Sequence, residues 1–189
     1  NPLDTLTNLY MLELLAIKKP ALEFQPGEQW QYCNTNYTTL ASVIEKVSGI
    51  PCEQFFAKHI AGALKLSNTF VYHLNMKSYP PSRVFGLEYD GNKYNLNDLV
   101  RFDGIVGDGN VYSSVEDLYK WDMALLNDKL LPKKYMDDIF TGRVEARNSK
   151  YAYGWFIDTV SLAEQEFVVY NHGGGINGFN TINYIIPQK

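Results

Sequence analysis

The chain is poor in the residues that hold metals and covalent staples. It has only two cysteines, Cys33 and Cys52, and three histidines in 189 residues. The cysteines lack metal-type spacing and both lie close to expected helices, so half of a zinc site is not even sketched; buried free thiols are the expectation, with a disulfide between them left open by sequence. The histidines, His59, His73 and His172, are scattered with no His-Glu-x-x-His, which argues against zinc. Charge of one sign is also lacking. A formal charge of −4 with no basic run gives no electrostatic footprint for nucleic acid. No apolar run is long enough for a membrane: the longest, Leu9 to Ile17, is interrupted by Glu13. There is no signal-peptide pattern, no internal repeat and no low-complexity segment. The chain starts at Asn1-Pro2 without Met, and is expected to be processed, trimmed or cut from something longer.

What is present is enough for one domain with a core: 46% of the residues are hydrophobic. The stretch from Phe24 to Tyr37 organises it. Pro26-Gly27 is a turn signal. The aromatic cluster after it ends in Tyr32-Cys33-Asn34. From Leu40 apolar residues recur as Leu40, Val43, Ile44 and Val47, one face of an amphipathic helix stopped by Gly49 and Pro51. Tyr32 and Asn34 thus sit where a loop enters a helix, with Asn34 or Asn36 available as N-cap. Before this stretch, residues 3 to 18 read as a helix with Leu3, Leu6, Leu9/Tyr10 and Leu14 on one side and Pro20 as the stop. After it, residues 52 to 61 read as a helix with Phe55, Phe56 and Ile60 inward.

Residues 71 to 103 are irregular, with a small hairpin expected around Asp90-Gly91. Gly104 to Asn127 regains pattern. A Gly-x-Gly turn carries Asp108 and Asn110, then Ser113-x-x-Glu116 and Ser114-x-x-Asp117 form overlapping capping boxes. Val115, Leu118, Trp121 and Leu125 are expected to face inward. Pro132 opens a short helix to about Phe140. From Tyr151 three strands follow, within "YAYGWFIDTV", "EFVVYNHG" and "GFNTINYIIP", with connections short enough for antiparallel pairing. Helices first and strands last give the α+β class.

The second chemical feature is His172-Gly173-Gly174-Gly175-Ile176-Asn177-Gly178. Gly173 to Gly178 fits Gly-x-Gly-x-x-Gly, but that motif must open a helix, and Phe179 to Ile186 alternates like a strand. "HGGG" matches the oxyanion loop of lipases, which requires a Gly-x-Ser-x-Gly elbow that this chain lacks. That elbow could lie beyond Lys189, so the reading stays open. A third reading is a strand edge without side chains, against which a substrate comes close enough for backbone N–H groups to stabilise an oxyanion.

Pro-Gly, an aromatic, Tyr-x-Asn and a helix ending in "EKVSG" resemble the serine β-lactamase and penicillin-binding-protein-like hydrolases, in the branch of class C β-lactamases, D-alanyl-D-alanine carboxypeptidases and esterases. "LKLSNTF" (Leu64 to Phe70) and "GDGNVYSSVEDLYKW" resemble the same family, the first without the family's Pro and Gly. His172-Gly173-Gly174 stands where the family has Lys-Thr-Gly or His-Thr-Gly, and Asn177-Gly178-Phe179 follows as in the family. The resemblance implies a β-lactamase/transpeptidase-like fold. It implies Tyr32 as general base or its partner, Asn34 as a substrate-amide contact, and His172 beside them as catalytic. Gly173, Gly174 and Gly175 would line the oxyanion and substrate site with Gly175 N–H as donor, and Asp108 and Asn110 would be substrate contacts. Gly173 in place of Thr removes a hydroxyl and favours an esterase or peptidase over a true β-lactamase.

The family's nucleophile is the Ser of Ser-x-x-Lys, and no serine here has Lys three residues on. The resemblance therefore implies an internal fragment. It is one partial domain over 1–189: a helical region with Tyr-x-Asn (1–70), an irregular insertion (71–103), a helical part (104–141) and antiparallel strands with His-Gly-Gly (151–187). The expected activity is acyl transfer from an amide or ester to water, on a small-molecule or peptide substrate and without cofactor or metal. A non-catalytic binding or scaffold relative is the first alternative, and the lipase-type use of "HGGG" the second. Self-association through an incomplete sheet is expected, and the resemblance alone suggests a periplasmic or secreted protein.

Overall fold

A computed structural model describes residues 6–73, 76, 79–98 and 103–187. The chain divides into two compact units. The first holds residues up to Glu23, Tyr32–Asp117 and Gly175–Phe179; the second holds Phe24–Gln31, Leu118–Gly174 and the residues from Asn180 on.

In the first unit, α1 (Asn8–Lys18) starts five residues later than its pattern suggests. Thr7 is its N-cap, accepting from Tyr10 N at 3.2 Å, and Thr7 also bridges Gly104. Leu3 lies outside the described residues. The stripe expected inward is not inward: Leu9 and Leu14 are exposed, and the buried residue is Asn8. α2 (Asn34–Ser48) ends where expected, on Gly49 at φ 74°. Its inward face is also inverted. Leu40, Val43 and Val47 are exposed, whereas Thr38 and Ala41 are buried. The physical reason is close approach. A Cβ on Gly107 would lie 2.6 Å from Ala41 Cβ and 2.7 Å from Tyr37 O, so only small side chains fit on that face.

α3 (Cys52–Phe56) passes through a π-helical turn (Ala57–Ala61) into α4 (Gly62–Leu64). Ala41, Val71 and Val106 form a small core here, with Cys52 and Phe56 packed on it. Cys33 and Cys52 are both free and half-buried, less buried than expected. β1 (Phe70–Val71) pairs with β4 (Val111–Tyr112), and β2 (Leu87–Tyr89) pairs antiparallel with β3 (Tyr94–Leu96) around Asp90-Gly91.

α5 (Val115–Leu126) begins after Ser114, whose hydroxyl accepts from Asp117 N at 3.3 Å. Ser113 does not cap; it pairs with Thr69 Oγ1. Val115 and Leu118 are exposed, against expectation, because buried Asp117 takes the inward position and accepts from Asn68 N and Thr69 Oγ1.

The second unit packs Leu125, Met136, Trp155 and Ile185 into a core. α6 (Lys133–Ile139) follows Pro132. Its sheet is an antiparallel meander in chain order: β5 (Val144–Ala146), β6 (Ser149–Tyr151), β7 (Phe156–Leu162), β8 (Gln165–Ile176) and β9 (Phe179–Ile185). β5 had no sequence signal, and the first expected strand is broken at Ala152–Trp155 by a turn in which Gly154 takes φ 88°. Mixed helices and antiparallel sheet give the α+β class.

Candidate functional site

Tyr32 and Asn34 flank Cys33, the N-cap of α2, which is extended at φ −148° and ψ 118°. In extended backbone successive side chains alternate. Cys33 is accordingly half-buried while Tyr32 and Asn34 are exposed. Neither Asn34 nor Asn36 is the cap, and Cys33 makes no side-chain cap bond.

A buried asparagine fixes the start of α2. Asn8, 7% exposed, donates from Nδ2 to Thr38 O (3.2 Å) and Val106 O (3.0 Å), and its Oδ1 accepts from Val106 N (2.9 Å). One side chain therefore ties α2 to the loop 106–110. That loop carries Asp108 and Asn110. Asn110, at φ 64°, is buried, donates from Nδ2 to Ile105 O at 3.0 Å and accepts at its own carbonyl from Tyr72 N at 2.7 Å. Its amide thus shapes the loop. Asp108 is half-buried, and burial raises its carboxyl above the usual range.

Tyr32 is 39% exposed, with its ring centroid 6.1 Å from that of Tyr37. Burial raises its hydroxyl pKa, and Tyr37, Asp108 and Cys33 add to the rise. All of these oppose the phenolate. As a base near neutral pH, Tyr32 needs a cation that these neighbours do not supply.

In the second unit, His172 packs against Tyr151 and Phe156. Its Nδ1 lies 2.7 Å from Gly173 O, which can only accept, so Nδ1 carries a proton; Nε2 is 3.4 Å from the Tyr151 hydroxyl. Trp30, just upstream of Tyr-x-Asn, belongs to this unit and packs on Tyr151 and Phe156.

The glycines are placed by strand register. The β7–β8 turn is Ala163-Glu164, both at positive φ, and the ladder runs from Leu162↔Gln165 to Phe156↔Asn171. Antiparallel pairing directs the backbone groups of alternate residues to opposite sides. Counting from the closing pair Leu162↔Gln165, odd-numbered residues of β8 direct N–H and C=O towards β7. The ladder to β7 stops at Asn171, yet β8 continues to Ile176. Gly173 and Gly175 therefore turn their backbone groups to a stretch of edge that β7 does not cover. Gly174 faces β9, where Thr181 Oγ1 donates to its carbonyl at 3.3 Å. All three glycines are exposed.

Of the sequence-derived residues, Tyr32, Asn34, Asp108, Asn110 and Gly175 fall in the first unit, and His172, Gly173 and Gly174 in the second. The dinucleotide reading fails because strand β9, not a helix, follows Gly178. The lipase reading fails because "HGGG" lies inside a strand of an antiparallel meander. No group of three or more His, Cys, Asp or Glu that could hold a metal occurs among the described residues, and no helix among them is long and apolar enough to cross a membrane.

Residues 12–189 match the family model described as Beta-lactamase. The chain is 32% identical over 184 residues to penicillin-binding protein 4* of Bacillus subtilis, covering 88% of this chain and 39% of that protein. Among solved structures it resembles an octameric penicillin-binding protein homologue from Pyrococcus abyssi, with TM-score 0.83 and 23% identity over 99% of this chain and 42% of that one. It also resembles a D-stereospecific amidohydrolase from Streptomyces sp., with TM-score 0.76 and 27% identity over 97% of this chain and 54% of that one.

Proposed function

Since the chain belongs to the Beta-lactamase family, we propose that it supplies the Tyr-x-Asn and glycine-strand parts of a serine hydrolase. The reaction is acyl transfer from an amide or ester to water. The uncovered edge of β8 carries this reading: Gly173 and Gly175 turn their backbone groups to it, and Gly175 shares a compact unit with Tyr32 and Asn34.

The nucleophile is a serine of a Ser-x-x-Lys motif outside residues 1–189. Its hydroxyl oxygen attacks the substrate carbonyl while Tyr32 takes the proton. The carbonyl oxygen becomes an oxyanion, and Gly175 N–H donates to it. Its collapse breaks the ester or amide bond, and the alcohol or amine leaves with the proton from Tyr32. Water then attacks the acyl-serine, giving its proton back through Tyr32 to the serine as the acid is released. Asn34 holds the substrate amide. The lysine of the motif supplies the positive charge that Tyr32 requires. Gly173 offers backbone but no hydroxyl, so a substrate carboxylate loses one contact. This favours esters and D-amino-acid amides over penicillins. The likeness to a D-stereospecific amidohydrolase supports that preference.

The exposed apolar residues of α1 and α2, such as Ile17 at 76% and Val47 at 82%, are covered in the whole protein by chain outside this segment or by a second copy. β9 is an edge strand of the described sheet and is a route for self-association, as the octameric homologue suggests. The function is tested on the full-length protein by comparing turnover of a short-chain ester, a D-amino-acid amide and a penicillin. Turnover of the first two above the third supports the reading; binding without turnover of any would favour a non-catalytic relative.

A further inference from the structure

The tip of the β8–β9 hairpin is held in an unusual way. Asn177 and Gly178 form its two-residue turn, at φ 47° and 75°, as a type I′ turn requires. Such a turn closes without help from its side chains. Here Asn177 nonetheless donates from Nδ2 to Asp103 Oδ1 (3.1 Å) and to the Asp98 carbonyl (3.2 Å), 74 and 79 residues away. Asp103 is fully buried. Asp98 is itself fixed: both its carboxylate oxygens accept from Arg83 Nη2, at 2.9 and 2.8 Å, and Oδ1 accepts from Gly86 N. Arg83 is buried, its guanidinium within 4.7–5.2 Å of the ring centroids of Tyr72, Tyr79, Phe85 and Tyr112. The backbones also interlock. A Cβ on Gly86 would overlap the Asn177 carbonyl oxygen, and one on Gly178 would overlap Leu87.

The strand beside this turn needs such support. Three consecutive glycines have no side chains to hold them and the most backbone freedom to lose. On the β7 side the ladder ends at Asn171. An oxyanion donor is effective only when held in place before the reaction. We infer that Asn177 is a positioning residue: through Asp103 and Asp98 it fixes the turn, and so the Gly173–Gly175 edge. The inference rests on the hydrolase reading above. It also gives Arg83, Asp98 and Asp103 a task, since they form the anchor.

The test uses the full-length protein with two variants. Asn177→Gly keeps a residue that tolerates positive φ and deletes the amide. Asn177→Asp keeps the size but sets a carboxylate against Asp103. Amide hydrogen exchange over residues 172–176 reads the anchoring directly. Expected is exchange about 10-fold faster there and unchanged in α2 and β7. Acylation by an activated ester reads the consequence, with an expected loss of about 10- to 100-fold in rate and little change in KM. The reciprocal pair Asn177→Asp with Asp103→Asn restores the bond between these two side chains but not the one to the Asp98 carbonyl, and should recover both readouts in part. Unchanged exchange at 172–176 overturns the inference, as does faster exchange there with an unchanged acylation rate. Exchange that rises everywhere, without recovery in the reciprocal pair, makes Asn177 a general stability residue and also overturns it. A wild type that never acylates overturns the hydrolase reading instead, and the exchange data still decide whether Asn177 holds the strand.

Discussion

Helix α2 and strand β8 each present a short motif, and they are held by opposite means. α2 is held by side chains. Thr38 and Ala41 are buried, Gly107 presses against them, and Asn8 bonds the helix to the loop beside it. β8 is held mainly by backbone: the ladder to β7 as far as Asn171, then β9, with the Asn177 amide at the turn. The helix motif should therefore tolerate little change of side-chain size on its buried face. The strand motif should tolerate little change of backbone.

The largest expected effect is chemical. In the full-length protein Tyr32→Phe should lower ester turnover by about 10²-fold or more, equivalent to about 2.7 kcal/mol. Asn34→Ala should cost less, through orientation alone. Stopped-flow turnover checks both, and full activity in Tyr32→Phe would reduce Tyr32 to a packing residue.

Next comes size. Ala41→Leu should destabilise the protein by about 1–3 kcal/mol, because the added atoms meet Gly107 and the small core of Val71 and Val106. On the opposite face Val47→Ser should change the stability of the 189-residue chain by no more than about 0.5 kcal/mol. Denaturant melts of both variants sharpen the contrast. Equal losses would break it.

The smallest effect is electrostatic. Burial raises the Asp108 carboxyl, so the folded state holds that proton more tightly than the unfolded state. The penalty is absent where both states are protonated, grows as pH rises above the unfolded value and is complete above the folded one. Asp108→Asn should therefore stabilise at pH 7 by about 0.5 kcal/mol or less, and not at pH 3. Melts at the two pH values check the sign.

The same contrast explains what the sequence disclosed. Strands β7, β8 and β9 were legible because alternation and short connections set a register locally, and that register directs Gly175 to the uncovered edge, whereas β5 carried no such signal. The C-terminal end of α2 was legible from Gly49 and Pro51, but its N-cap, Cys33, was not. Nor was its inward face. Leu40, Val43 and Val47 mark a face meant for burial, but periodicity does not say by what, and in this chain they are exposed. Thr38 and Ala41 pack inward because they are small, a property that hydrophobic patterning does not weigh. Asn8 and Asn177 were invisible for another reason. Their partners lie up to 98 residues away, and nothing local marks an amide that will be buried against a distant carbonyl or carboxylate. Asn177-Gly178 reads locally as a turn and no more.

The central claim is that these residues hold the proton-handling and oxyanion parts of a serine hydrolase whose nucleophile lies elsewhere. Intact-mass measurement after incubation with a fluorophosphonate and with a fluorescent penicillin tests it most directly, on the 189-residue chain and on the full-length protein. The account predicts no adduct on the short chain, and on the full-length protein a stoichiometric fluorophosphonate adduct mapped to a serine outside residues 1–189. A stoichiometric adduct mapped to any residue of the short chain would contradict it.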